Sequence, residues 1–595
     1  MRPFGRRGDR PARVGLSVAL SCTLLSLLLT SCGLPLSDGV QSAGQVQVER
    51  DEPLQLKVIP PRPQKGASPE DIVLGFLVAQ RSPDDDHAVA REYLAPEAKW
   101  DDEQGAVVYS ARRFLDDNDN DPLTFSVRYD ASARVEPTGA YSVDDTVVIA
   151  TYEVGRMPTG EYRLTSVPPG LHLTTQARER SFTGYDVYFL RRAANERTTS
   201  RLVPDRVFLP VTAAPAPALV AALLRGGTPP LRPAIGTAVP PGTTLASPVV
   251  PDADGVVTVD LSREVGELAQ RARQRLSAQL VWTLLPTFSG VRLLVEGRPL
   301  AVDGAPEVQT LAHWTKVDPN GRSADARLYY VHDRRLEALN GTLPGGEASA
   351  LRGLDVDEAA VNPMDSTVAL LTRDPGGPDE IRTGRLSGPL GDVLLRHPSL
   401  DSMSFGPGDQ GLWVLAGGER PAVCLIPLGT ANARGDLCDV PYEQPEGAGL
   451  LSSLRVSRDG ARVALVFGTG ADRRLHVGRI EPSNGGWRIA GVAPVAPALA
   501  DVTDVAWESG TSLAVLATSP GASQVVVWRV AVDGSTGPEA VQRPGLTEDA
   551  VALAATAGQP LVVGALLEGK PRLYRDDGTL FRLEAAPGTA PTYPG

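Results

Sequence analysis

The sequence predicts a multidomain chain that is α+β in its first folded part, α/β in its second and all-β in its last. Helical spacing precedes strand-like runs between Ser68 and Leu190, while helical and alternating segments interleave from Leu202 to Val295. Beyond Gly304, short apolar runs recur at a spacing of about 40 to 50 residues. A length of 595 residues suits several domains, and a hydrophobic content of 42% supplies cores for them.

The chain starts with a positive segment, Arg2, Arg6, Arg7, Arg10 and Arg13. An apolar stretch from Val14 to Leu29 follows, too short and too early for a secure membrane span. Leu29-Thr30-Ser31-Cys32 then resembles a bacterial lipobox. The resemblance implies that residues 1–31 are a signal peptide and that Cys32 becomes the first residue, as an N-palmitoyl, S-diacylglycerol cysteine. An ordinary secretory signal with an incidental cysteine is the alternative. Gly8-Asp9 stand where a twin-arginine signal wants apolar residues, which favours the general secretory route. At about 0.8 kcal/mol per buried methylene, two acyl chains supply on the order of 20 kcal/mol, enough for stable anchoring on the extracytoplasmic face of the cell membrane.

The formal charge is −13; residues 1–31 hold five arginines and Asp9, a net +4, so the remainder carries −17. That excess argues against nucleic acid as a partner and against a basic surface lying on anionic lipid. Arginine, alanine, glycine and proline abound, whereas Lys57, Lys65, Lys99, Lys316 and Lys570 are the only lysines. With the lipobox, this pattern suggests the high-GC coding of an actinobacterium. Cys22 leaves with the signal, so Cys424 and Cys438 remain for folding chemistry. An exported location permits a disulfide between them, and two free buried thiols are the alternative.

Residues 32–66 mix Gln, Pro, Ser, Gly and charges without a period and read as a tether, roughly 30 Å in root-mean-square span and about 110 Å fully extended. Residues 67–201 are expected to form the first domain. Ser68-Pro69-Glu70-Asp71 opens a helix whose Ile72, Phe76 and Ala79 share a face, a second helical stretch covers Ala88 to Leu94, and five strand-like runs end with Asp186–Leu190. Residues 202–303 follow as the second domain. They carry a helix with Leu219, Val220, Leu223 and Leu224 stopped by Gly226-Gly227, a strand with Val257, Val259 and Leu261, a long helix from Arg263 to Leu285, and a strand at Val291, Leu293 and Val295.

In residues 304–595 the recurring runs are Leu328–Val331, Val368–Leu371, Leu412–Leu415, Val463–Val466, Leu513–Leu516 and Val562–Ala565. Such a period fits a β-propeller, whose four-stranded blades hide their faces only against each other, with a β-sandwich array as the alternative.

No local chemistry stands out. His87, His172, His313, His332, His397 and His476 are dispersed, without the spacing of a metal site. Asp116-Asp117-Asn118-Asp119-Asn120-Asp121 lacks the glycine and downstream glutamate of a calcium loop and reads as a solvated turn. Asp252-Ala253-Asp254-Gly255 reads as the turn feeding the Val257 strand. No Gly-x-Ser-x-Gly elbow occurs, and Gly468-Thr469-Gly470 lacks the third glycine of a dinucleotide site. Trp282, Trp314, Trp413, Trp507 and Trp528 read as packing residues, with Trp314 suited to a domain junction. The expectation is no catalytic residue, no metal and no cofactor.

Phe76-Leu77-Val78-Ala79-Gln80, Ala90-Arg91-Glu92-Tyr93-Leu94 and Trp100 resemble the N-terminal domain of the LpqB lipoprotein family, which implies an NTF2-like fold, a curved sheet against helices. Leu223-Leu224-Arg225-Gly226, Gly255-Val256-Val257-Thr258-Val259-Asp260-Leu261-Ser262 and Ala278-Gln279-Leu280-Val281-Trp282-Thr283-Leu284 resemble a GerMN domain. Val456-Ser457-Arg458-Asp459-Gly460-Ala461-Arg462-Val463-Ala464 looks like a blade motif of that family's C-terminal β-propeller. The resemblance implies contact with the extracellular domain of the sensor kinase MtrB of the MtrA–MtrB two-component system, and through it an influence on cell envelope and division. A cell-wall or glycan-binding scaffold, with peptidoglycan as partner, is a second reading. A propeller hydrolase is a third.

Overall fold

The computed structural model describes residues 60–595 apart from 116–122, 193–200, 213, 321–325, 340, 345–350, 352–353, 363–365, 408–409, 429–437, 484–485, 520–523 and 547–548. Cys32, the signal segment, most of the tether and the Asp116–Asp121 run lie outside the described residues.

Ser68 caps the helix Pro69–Ala79: its hydroxyl accepts from Asp71 N, and the Asp71 carboxylate accepts from Ser68 N. This reciprocal cap satisfies donors that a helix start leaves open, with Glu70 and Asp71 at the positive end of the dipole. Ile72, Val73, Phe76 and Leu77 bury against a six-stranded sheet. Its strands run Tyr162–Ser166, Val147–Arg156, Thr124–Val135, Ala106–Phe114 and Leu171–Thr174 in spatial order, with Tyr141–Val143 beside Thr124–Val135. The helix expected over Ala88 to Leu94 closes after one turn, Ala88–Arg91, because Tyr93 O and Ala95 N bond to Leu164 and draw the chain onto the sheet.

Asp186–Leu190 was expected in the first domain, but the strand Phe182–Arg191 pairs antiparallel with Leu202–Pro210 in a separate sheet. Val187 and Phe189 pack with Leu219, Val220 and Leu223 of the helix Ala216–Arg225 and with Leu280 and Leu284 of the helix Gln270–Leu284. This apolar face joins the strand to the unit that follows it. The long helix from Arg263 is also corrected: a 3-10 turn, Arg263–Glu267, precedes extended Leu268 and Ala269, and the α-helix starts only at Gln270. Arg273 fixes the break by donating to Leu268 O and Gly266 O. That helix crosses between the parallel strands Val256–Leu261 and Gly290–Val295. Asp252 Oδ1 accepts from Asp254 N and Val256 N, so Asp252–Gly255 is indeed a turn.

Beyond it, six antiparallel sheets among the described residues form a β-propeller. Their innermost strands are Glu358–Val361, Leu400–Phe405, Leu451–Val456, Ala500–Ser509, Asp549–Ala554 and, closing the ring, Thr589–Thr592. The last of these pairs with Tyr329–His332, so the blade that comes first in sequence receives its inner strand from the end of the chain. All six predicted apolar runs are the second strands of their blades. They are bonded on both edges and buried on both faces, as Arg462–Phe467 and Leu412–Ala416 show.

The Cys424 and Cys438 sulfurs are bonded. Cys424 lies in the third blade's strand Ala422–Ile426, and the bond fastens a connecting segment whose Val440 bridges to Val423 and Tyr442 to Ile489 of the fourth blade. For a sequence separation of 14, replacing both by alanine is expected to cost roughly 2 to 3 kcal/mol. Thermal unfolding of the oxidised protein beside the double variant measures it, and equal melting temperatures contradict a restraining role.

The propeller docks on the preceding units through turns of its fourth and fifth blades. Arg462 Nη2 donates to Pro204 O at 2.8 Å, Arg206 Nη2 to Thr511 Oγ1 at 3.1 Å and Arg178 Nη2 to Ser535 O at 2.7 Å. Ala461 enters the core built around Leu219 and Leu280.

Candidate functional site

A cavity of about 440 Å³ lies on the propeller axis, and every one of the six innermost strands contributes to its wall. Those strands would leave unpaired edges toward the axis, and side chains of neighbouring blades cover them. Ser402 and Ser404 hydroxyls accept from Leu454 N and Val456 N, Asp504 Oδ2 accepts from Leu553 N, and Trp507 Nε1 donates to Arg455 O.

Four charged side chains meet there from three blades. Arg455 Nη2 lies 3.5 Å from Glu358 Oε1 and 3.6 Å from Asp504 Oδ1, and Arg373 Nη2 lies 3.5 Å from Glu358 Oε2. Burial pushes both carboxyls above their ordinary range, more than the attraction of Arg455 pulls them down. At the end of the cavity where the inner strands finish stands Arg458, buried, with Nε donating to Pro594 O at 3.1 Å and a second bond from Nη1 to Thr556 Oγ1. Burial first, and then the charge of Arg201, pushes its guanidinium down to about 10, so it stays cationic at neutral pH.

The turn carrying Arg458 is built by its neighbours. Ser457 Oγ donates to Asp459 Oδ1 and accepts from Arg462 N, Asp459 Oδ1 also accepts from Ala461 N, and Gly460 takes the left-handed φ of 72° that the turn requires.

The histidines stay apart: His172 is buried beside Tyr129, His87 lies near Asp102, and His476 packs on Phe467. Among the described residues no His, Cys, Asp and Glu gather as a metal site, and no helix is long and apolar enough to cross a membrane. Trp413 and Trp507 are buried in the propeller, whereas Trp314 packs near Tyr188 and Leu202 on the preceding unit, where its Nε1 donates to Gln309. Glu358, Arg455 and Asp504 escaped the sequence reading, and Arg458 entered it only within the blade motif. The signal that could have found Glu358, Arg455 and Asp504 is the recurrence of charged residues on the innermost strand of successive repeats.

Residues 62–179 match the family described as lipoprotein LpqB, N-terminal domain, and residues 326–568 the lipoprotein LpqB beta-propeller domain. Residues 186–301 match a family described as sporulation and spore germination. Lipoprotein LpqB of Thermobifida fusca is 29% identical, covering 98% of this chain and 99% of that protein. The Streptomyces coelicolor protein of the same name is also 29% identical, with 99% of both chains covered. Among solved structures, TolB from Acinetobacter baumannii matches 45% of this chain and 66% of its own, at 16% identity and a TM-score of 0.34. Domain by domain and nearly end to end, the chain belongs to the lipoprotein LpqB family of actinobacteria.

Proposed function

We propose that this lipoprotein is anchored through Cys32 on the extracytoplasmic face of the cell membrane and there binds and modulates the sensor kinase MtrB, with effects on cell envelope and division. The supporting observation is the near end-to-end relationship to proteins named as lipoproteins, in a chain whose lipobox ends at Cys32. On this reading residues 32–66 are the tether, 67–201 an NTF2-like unit, 202–303 a GerMN unit and 304–595 the propeller, with the strand Phe182–Arg191 reassigned to the GerMN unit. The role is one of binding, not catalysis.

The physical basis is proximity. Confining the folded part beside an integral sensor raises its effective concentration, so a weak contact suffices, and signalling shifts only if the two kinase states are bound unequally. Cys32→Ala is expected to leave the folded domains intact and to abolish signalling. Fractionation, together with cross-linking in native membranes followed by partner identification, measures both. Normal signalling by a demonstrably unanchored protein overturns the reading, and recovery of peptidoglycan without the kinase replaces it with wall binding.

A further inference from the structure

We propose that the helix-facing side of the six-stranded sheet binds an amphipathic carboxylate, its head on Arg112 and the hydroxyls of Tyr129 and Tyr152, its apolar tail along Phe114 and Phe125. The proposal is independent of the kinase reading, and four observations carry it.

First, a bulge turns Arg112 inward. In the ladder between Ala106–Phe114 and Thr124–Val135, Tyr109 stands opposite Ala131 and Arg112 opposite Tyr129, with Ser110 out of register. Two residues three positions apart therefore share the buried face, where regular alternation would send Arg112 to the other side.

Second, its charge is unmatched. Arg112 Nη1 is buried without a hydrogen-bond partner, and among the described residues no carboxylate pairs with this guanidinium. Arg128 and Arg134 on the adjacent strand, by contrast, are paired with Asp130 and Asp144. A guanidinium with a desolvated nitrogen calls for an anion, and a carboxylate fits its planar fork.

Third, the neutral groups beside it leave donors unspent. The Tyr129 and Tyr152 hydroxyls are 2.9 Å apart; one donates to the other, so one O–H of the pair is left over. Burial pushes both above the ordinary tyrosine range, which keeps them protonated at neutral pH. Gln80, fully buried, accepts from His172 N through Oε1 at 3.1 Å and leaves Nε2 without an acceptor, and the His172 ring packs on Tyr129. Unspent donors beside an unmatched cation select a ligand that brings acceptors and negative charge.

Fourth, an apolar strip adjoins these groups. Phe114 stands opposite Val127 and Phe125 opposite Tyr152, so both rings lie on the same face as Arg112. Their centroids are 6.1 Å apart, edge to face, and both residues are half-buried, as is Val148 opposite Tyr129. The helix Pro69–Ala79 covers the neighbouring part of the face, where Phe76 packs on Trp100 and Tyr152. Arg112 and Phe114 are two strand positions apart, about 7 Å, so a chain of several methylenes reaches from one to the other.

Calorimetric titration of the full chain carrying Cys32→Ala, free of lipid and detergent, tests the idea with three probes. Decanoate is expected to bind, decanamide to bind at least about tenfold more weakly, and acetate, which has no tail, to give no heat. Arg112→Gln should erase the difference between acid and amide, and Arg112→Lys should restore part of it. Tyr129→Phe with Tyr152→Phe should weaken decanoate at least about fivefold. Phe125→Ala should weaken acid and amide alike and leave their ratio unchanged. Should a variant fail to fold, the three probes on the otherwise unaltered chain decide the matter. Decyl phosphate binding more tightly than decanoate would overturn the choice of a carboxylate head. Equal affinity for decanoate and decanamide, or no heat with decanoate at millimolar concentration, overturns the whole proposal, because the unspent donors then face water only.

Discussion

Removing residues 588–595 is expected to open the propeller ring and to lower its melting temperature by about 10 to 20 °C. The strand Thr589–Thr592 is the inner strand of the first blade, so without it Tyr329–His332 presents a bare edge to the axis. Tyr593 buries beside Leu328, Tyr330, Val562 and Leu573, and its hydroxyl reaches Pro560 O in the sixth blade. Gly595 N bonds to Val361 O in the second blade, so the same short segment bridges both neighbours. Losing one large buried aromatic side chain costs about 3 to 5 kcal/mol, and the broken ladder adds to that. At about 2 to 4 °C per kcal/mol for a domain of this size, a loss near 5 kcal/mol gives the stated shift. Calorimetry of the full chain and the truncated chain measures it, while Tyr593→Ala alone should recover the aromatic part. A truncated chain that melts within about 2 °C of the parent would show that the ring is held shut by something else.

The same strand shows where sequence reading stops. Thr589-Ala590-Pro591-Thr592 carries no apolar alternation and contains a proline, so it reads as a loop. Its partner lies far upstream, and only ring closure makes it a strand. The second strands of the blades were legible because they are buried on both faces and so become continuous apolar runs. Outer strands such as Leu390–His397 are half exposed, lack that signature and pass for connections. The Ser68 cap was legible because it is local chemistry, whereas the unit to which Phe182–Arg191 belongs depended on tertiary packing against later helices. The cavity charges are the extreme case: Glu358, Arg455 and Asp504 are far apart in the chain, and nothing short of the ring brings them together.

Acidification is expected to destabilise the first folded unit through His172, and His172→Phe should remove that part of the loss. The imidazole lies in the strand Leu171–Thr174, its ring centroid 4.6 Å from that of Tyr129, and it is 4% exposed. Burial, helped by the positive charge of Arg134, pushes it down to about 4, against an ordinary value of 6.5. At pH 7 the ring is neutral in both the folded and unfolded chains, so folding carries no proton penalty. As the pH falls below 6.5 the unfolded state takes up the proton first, and stability is lost progressively until about pH 4, where the folded state is protonated as well. The full loss is on the order of 3 kcal/mol. His87, also lowered mainly by burial, acts in the same direction but is present in both proteins. Subtracting the pH dependence of the variant from that of the parent therefore isolates His172. Denaturant unfolding of both proteins at several values between pH 7 and pH 4 supplies the two curves. Parallel curves would mean that the ring gains a stabilising partner on protonation, which the packing of Tyr129 and Tyr152 around it opposes.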